Sequence, residues 1–175
     1  SSTAGDTVGD AGTGAAPTDP PAADAGGEAA ALAPALSQTF SDPALGIALD
    51  YPEGWRAESD GQLTANLFSY AADQAPQAGG VPEHLTKIDV LVLAGFALDL
   101  EARRDQVQAE LPSLAEEAEL TLVGGQKAYW LRGGGGMAGD TAVLLTIIGD
   151  QLYQLQAYGD PEPLRAIGAT LRAAK

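Results

Sequence analysis

One stretch, Thr141 to Tyr158, limits the possible folds more than any other part of the chain. It reads TAVLLTII, then Gly149-Asp150, then QLYQLQAY. Two apolar runs around a two-residue Gly-Asp loop predict a β-hairpin. So short a loop fixes the register, placing Leu144 opposite Leu155, Thr146 opposite Tyr153 and Ala142 opposite Ala157 on one face. Val143, Leu145, Ile147 and Leu152 make the other face apolar as well. A sheet that is apolar on both sides must be covered on both, so helices are expected above and below it.

The segments before this hairpin supply further strands. Gln38–Ser41 and Leu45–Tyr51 flank Asp42-Pro43-Ala44, which suits a type I turn. Tyr51-Pro52-Glu53-Gly54-Trp55 follows; Pro52 has no N–H to give a ladder, and Pro then Gly suit a second type I turn with Trp55 folding over the sheet edge as a core anchor. Leu63–Tyr70 and Thr86–Leu93 alternate with period two, and Glu116–Val123 and Gln126–Arg132 straddle a Gly124-Gly125 turn. Asp99–Leu111 reads as a helix with Asp99 as N-cap and Pro112 beyond its end. Asp160-Pro161-Glu162 opens a terminal helix that buries Leu164, Ile167, Gly168 and Leu171, turns Arg165, Arg172 and Lys175 to water, and uses Gly168 for close approach to the sheet. The sum is an α+β fold with five to six antiparallel strands and two helices.

Residues 1–36 are of another kind. They hold twelve Ala, six Gly and four Pro, no aromatic, no Lys or Arg, and five acids: Asp6, Asp10, Asp19, Asp24 and Glu28. Such a segment cannot bury enough surface to offset its ordering entropy. It reads as a disordered, self-repelling tether ahead of a globular domain over 37–175. Three origins fit: the spacer of an exported lipoprotein whose lipidated cysteine preceded Ser1, an ordinary tail, or a linker from a larger protein.

Charge narrows the partners. With 24 acids against 9 bases the net charge is −15, which repels nucleic acid and anionic headgroups. Any membrane contact is therefore expected only through a lipid anchor upstream of Ser1, and no run reaches the ~18 apolar residues of a spanning helix. The absence of cysteine excludes disulfides, thiolate catalysis and zinc–thiolate sites.

Catalytic chemistry finds little footing. His84, the one histidine, sits in a loop beside Glu83 with no second ligand near it in sequence, and no nucleophile elbow or H-E-x-x-H exists. Gly133-Gly134-Gly135-Gly136 lacks the Gly-Lys-Ser/Thr of a phosphate loop and leads into a strand, so the dipole of a helix N-terminus is missing. This run with Met137 reads as a hairpin loop over Gly133–Gly139, the candidate partner-contact element. Glu116, Glu117 and Glu119 lack a calcium-loop pattern and read as a solvated turn. No catalytic residue, cofactor-binding residue or metal ligand is assigned, and the chain is read as no enzyme.

The order of these pieces resembles the PsbP-like fold, an α/β/α sandwich around a central antiparallel sheet, found in lumenal photosystem subunits, a Ran-binding nuclear import factor and many bacterial lipoproteins. Gly46-Ile47 followed by Tyr51-Pro52-Glu53-Gly54-Trp55 carries the resemblance, supported by Gly125–Leu131, the Gly149-Asp150 hairpin, Tyr153 and the helix from Pro161. It covers about residues 38–174. The resemblance implies a non-enzymatic binding or assembly module with a protein partner, tethered outside the cytoplasm. It transfers no metal-binding or docking residue, and the acidic charge departs from the basic docking patches of some members. Two other functions stay open: a small-ligand carrier with a pocket near the Gly133–Gly139 loop, and a carboxylate-based hydrolase.

Overall fold

The computed structural model describes residues 35–136 and 139–175. The tether expected over 1–36 lies outside the described residues except for its last two, and Leu36 packs against the core. Ten strands and two helices follow among the described residues: β1 (Gln38–Asp42), β2 (Ile47–Tyr51), β3 (Arg56–Ser59), β4 (Thr64–Phe68), β5 (Thr86–Val92), α1 (Leu100–Glu110), β6 (Glu116–Thr121), β7 (Lys127–Gly136), β8 (Gly139–Ile148), β9 (Gln151–Gly159), α2 (Glu162–Ala169) and β10 (Arg172–Ala173). The main sheet has the order β3-β4-β5-β9-β8-β7-β6; a small second sheet has the order β1-β2-β10. Every pairing is antiparallel.

The β8–β9 hairpin stands at the centre of the main sheet with the expected register, Leu144 opposite Leu155 and Thr146 opposite Tyr153. Gly149 has a φ of 62° while Asp150 keeps a negative one, the pattern of a type II′ turn. One face of the sheet, the inner face, packs Leu67, Ile88, Trp130, Leu144 and Leu155 against Leu45, Ile47 and Leu49 of the small sheet and Leu164, Ile167 and Leu171 of the α2 segment. Tyr153 ties the two sheets together: its buried hydroxyl donates to the Leu45 carbonyl at 2.7 Å. Gly168 does bring α2 close, since a Cβ there would stand 2.6 Å from Leu144 Cδ1.

The outer face is covered over one half only. Val107, Leu114 and the partly buried Leu100 and Leu111 of the α1 segment pack on Tyr129, Leu131, Val143 and Leu145 of β7 and β8. Asp99 caps α1 as expected, accepting from Ala102 N–H at 2.9 Å. The expected cover on both sides therefore takes a different form: a small sheet plus α2 inside, and α1 over β7–β8 outside.

Four local expectations change. The main sheet has seven strands because β3 adds an edge; its Arg-Ala-Glu-Ser sequence carries no apolar alternation to betray it. The turn after β2 closes from Trp55 N–H to Pro52 O, with Gly54 at φ 84°, so Gly54 takes the third position of a turn that needs positive φ there. The terminal helix stops at Ala169, and Arg172 lies in β10 bonded to Asp50 rather than facing water at a helix end. The Gly133–Gly139 loop is mostly strand, because β7 runs through Gly136 and β8 starts at Gly139.

Candidate functional site

The other half of the outer face, on β3, β4, β5 and β9, carries polar and aromatic side chains. Register sets them in rows. Arg56 stands opposite Phe68, Phe68 opposite Lys87, and Lys87 opposite Tyr158. The next row is Glu58, Asn66, Asp89 and Gln156; a third holds Thr64, Leu91 and Gln154. Apart from exposed Glu58 and Thr64's own partner row ending in buried Gln154, these side chains are half-buried.

Cations and rings alternate along the first row. The Arg56 guanidinium lies 4.3 Å from the Phe68 ring centroid, and Lys87 Nζ lies 5.9 Å from Phe68 and 5.8 Å from Tyr158. Tyr70 meets Phe68 edge-on at 5.5 Å. Each cation also has a carboxylate, Arg56 with Glu58 at 2.5 Å and Lys87 with Asp89 at 2.9 Å. Burial, then the Asp89 carboxylate, pushes the Tyr158 phenol above its ordinary value while Lys87 pulls it down, so the ring is a neutral donor and platform.

Some polar atoms here have no partner. Arg56 Nε is shielded from solvent yet makes no hydrogen bond, whereas Asp89 Oδ1 has the Lys87 ammonium as its counter-ion at 2.9 Å. Arg103 Nε, at the border where α1 ends its cover, is likewise unpaired, although the same guanidinium donates to Gln154 Oε1 at 2.8 Å. Shielded polar atoms are nearly always satisfied in a folded chain, so these exceptions stand out.

Two clefts open at the end of this half-face where β9 leaves the sheet. The first, of about 340 Å³, is lined by Gly80, Val81, Lys87, Asp89, Tyr158 and Gly159. The second, of about 210 Å³, shares Gly159 and adds His84, Arg132, Asp140, Asp160 and Pro161. The structure thus brings His84 toward Arg132 and Asp140, which bracket the glycine run. Arg132 is committed to an ion pair with Glu162, and the His84 side chain is 90% exposed with Glu83 at 3.5 Å.

Of the predicted contact residues, Gly133, Gly134, Gly135 and Gly136 end β7, and Met137 lies outside the described residues. Gly133 has a packing reason of its own: a Cβ there would collide with the Ser113 carbonyl behind α1. The acidic turn of Glu116, Glu117 and Glu119 is exposed on β6 at the sheet edge. Among the described residues no three His, Asp or Glu side chains come together as a metal site, and no helix is long and apolar enough to cross a membrane.

Sequence reading missed Arg56, Phe68, Asp89 and Tyr158 as a group. Lys87 and Asp89 were visible as the polar side of β5, but their neighbours appear only once β3, β4, β5 and β9 are placed side by side.

No family model matches the chain, and no curated protein matches it. Among solved structures it is similar to a crystal structure from Bacteroides thetaiotaomicron, with a TM-score of 0.53 at 16% identity, covering 81% of this chain and 50% of that one. The chain thus spans about half the length of that protein, and the likeness concerns the fold. It is also similar to the solution structure of cyanobacterial PsbP (CyanoP) from Synechocystis sp. PCC 6803, with a TM-score of 0.44 at 13% identity, covering 78% of this chain and 91% of that one. Among the described residues the chain is of the expected α+β class, built on antiparallel sheets with two α-helices.

Proposed function

We propose that this chain is a non-enzymatic binding or assembly module that works outside the cytoplasm, held at a membrane surface by a lipid anchor upstream of Ser1. The open half-face, with the adjoining end of β7 at Gly133–Gly136, is its partner-binding surface. The observation that carries the reading is the row of alternating cations and rings, Arg56, Phe68, Lys87 and Tyr158, left half-exposed on a face whose other half α1 covers. A partner covers the rings and meets the cations beside them. The tether composition and the PsbP-like resemblance support the address.

The carboxylates argue for binding over hydrolysis. Among the described residues those that shift, Asp42, Asp50 and Asp60, shift down: Ser59 donates to Asp42, Arg172 grips Asp50, and the backbone N–H groups of Thr64 and Gln62 hold Asp60. A general acid needs the opposite shift. The small-ligand reading expects its pocket near Gly133–Gly139; the cleft that reaches this run, at Arg132 and Asp140, is about 210 Å³, small for such a ligand, and the 340 Å³ cleft beside Tyr158 adjoins it at Gly159.

A photo-crosslinking residue at Phe68 and another at exposed Arg165 on α2 separate these readings in the native cell. A discrete protein adduct from position 68 and none from 165 is expected; equal adducts, or none, overturn the binding surface. The residues encoded before Ser1 test the anchor separately: an export signal ending in a lipidated cysteine is expected, and its absence removes the anchor while leaving the crosslinking result intact.

A further inference from the structure

The opposite end of the main sheet carries a second surface. The β3–β4 turn, the β5–α1 connection and the β8–β9 hairpin meet there around a groove of about 490 Å³. Its lining includes Leu63, Phe96 and Leu98, exposed by 47%, 46% and 52%, above a floor that contains buried Leu152. The β5–α1 connection reads Leu93-Ala94-Gly95-Phe96-Ala97-Leu98, an apolar segment exposed to water where a loop is ordinarily polar. It is held in place: the Leu93 N–H donates to Leu152 O at 2.9 Å, and the nearly buried Arg103 guanidinium lies 5.1 Å from the Phe96 ring centroid.

Acids dominate around this groove, and the guanidinium at its wall, that of Arg103 against Phe96, is ion-paired with Glu110. Asp150 lines the groove, Asp60 closes the turn that presents Leu63, and Asp99 directly follows Leu98. No Lys or Arg lines it. These acids and the net charge of −15 disfavour an anionic bilayer and a second copy of the same chain. They complement cations flanking apolar side chains.

We propose that this groove docks a cationic amphipathic segment of a partner protein, two of its apolar side chains entering between Leu63, Phe96 and Leu98 while flanking Lys or Arg side chains meet Asp60, Asp99 and Asp150. The groove lies at the far end of the sheet from the Gly133–Gly136 strand end, so the module has two separate contact surfaces and can bridge two partners.

The test is fluorescence anisotropy of the full chain with a labelled leucine–lysine amphipathic peptide, a leucine–glutamate peptide of the same pattern serving as control. Saturable binding of the first peptide alone is expected. The pair Phe96→Ser and Leu98→Ser should weaken it by about tenfold or more. Asp150→Lys should weaken it more than Asp73→Lys, the same charge change in the exposed loop at the sheet's other end. Leu63→Ser, on a separate turn, gives the same reading should the double variant melt early. Wild-type affinity in the serine variants, or equal loss in the two lysine variants, overturns the proposal by reducing binding to net charge. Flotation with phosphatidylcholine vesicles, or a dimer by sedimentation, that Leu98→Ser abolishes would assign the groove to lipid or to a second copy and overturn it too.

Discussion

The two halves of the outer face share one sheet, paired strand to strand from edge to edge, yet they meet different fates. On β7 and β8 the outward positions are Tyr129, Leu131, Val143 and Leu145, and α1 buries them. On β4, β5 and β9 the outward positions are Phe68, Asn66, Lys87, Asp89, Gln156 and Tyr158, and they stay half-exposed. Backbone pairing is alike in both halves, so side-chain chemistry decides which half acquires cover. Apolar area removed from water stabilises by roughly 25 cal/mol per Å², a gain that amides and ion pairs do not give. The half that cannot profit from internal cover remains available to something outside.

The largest effect that sharpens this comparison is a pair of truncations. Leu145→Ala, under α1, should cost about 3 kcal/mol in urea denaturation, through lost burial and the cavity left behind. Gln156→Ala, its counterpart on the open half, should change stability by about 0.5 kcal/mol or less. Comparable losses at both sites would break the distinction. Tyr153→Phe probes the fully covered inner face: it leaves the Leu45 carbonyl without its buried donor and should cost about 1 kcal/mol by the same measurement.

A similar cost, about 1 kcal/mol at neutral pH, is expected from Asp50→Asn, which loosens the clamp on the small sheet. Asp50 takes both Arg172 nitrogens, at 2.9 and 3.1 Å, and the Thr39 hydroxyl at 2.8 Å. Its folded pKa lies below the ordinary 3.8, the Arg172 hydrogen bonds being the largest cause. The stability it lends is therefore complete above that ordinary value and fades as pH falls through the lower folded one. Melting curves of wild type and Asp50→Asn should converge at the acid end. The smallest effect belongs to Lys87→Gln: stability within about 0.5 kcal/mol, with partner crosslinking from position 68 reduced.

How much of this was legible in the sequence depended on which forces act locally. The β8–β9 register, the Asp99 cap, the apolar face of α2 and the close approach at Gly168 follow from nearby residues, and all are seen. β3 and β10 escaped because short edge strands owe their state to a distant partner: β10 is held by Ala48 and Ile47 of β2, far away in the chain. The glycine run after Arg132 looked like a loop because glycine is a poor strand former. It continues β7 where the sheet needs a backbone able to pass close to Ser113. The open half-face was illegible for a topological reason: its members come from four strands that only long-range pairing sets side by side.

Hydroxyl-radical footprinting tests the central claim most directly, because Tyr129 and Tyr158 lie on the same face of the same sheet, one in each half. In the purified protein Tyr158 and Phe68 should oxidise readily while Tyr129, only 4% exposed, is spared; on native cells Tyr158 and Phe68 should become protected. Equal protection of the two tyrosines in the purified protein, or oxidation of Tyr158 that is the same on cells and in solution, would contradict an open surface kept for a partner.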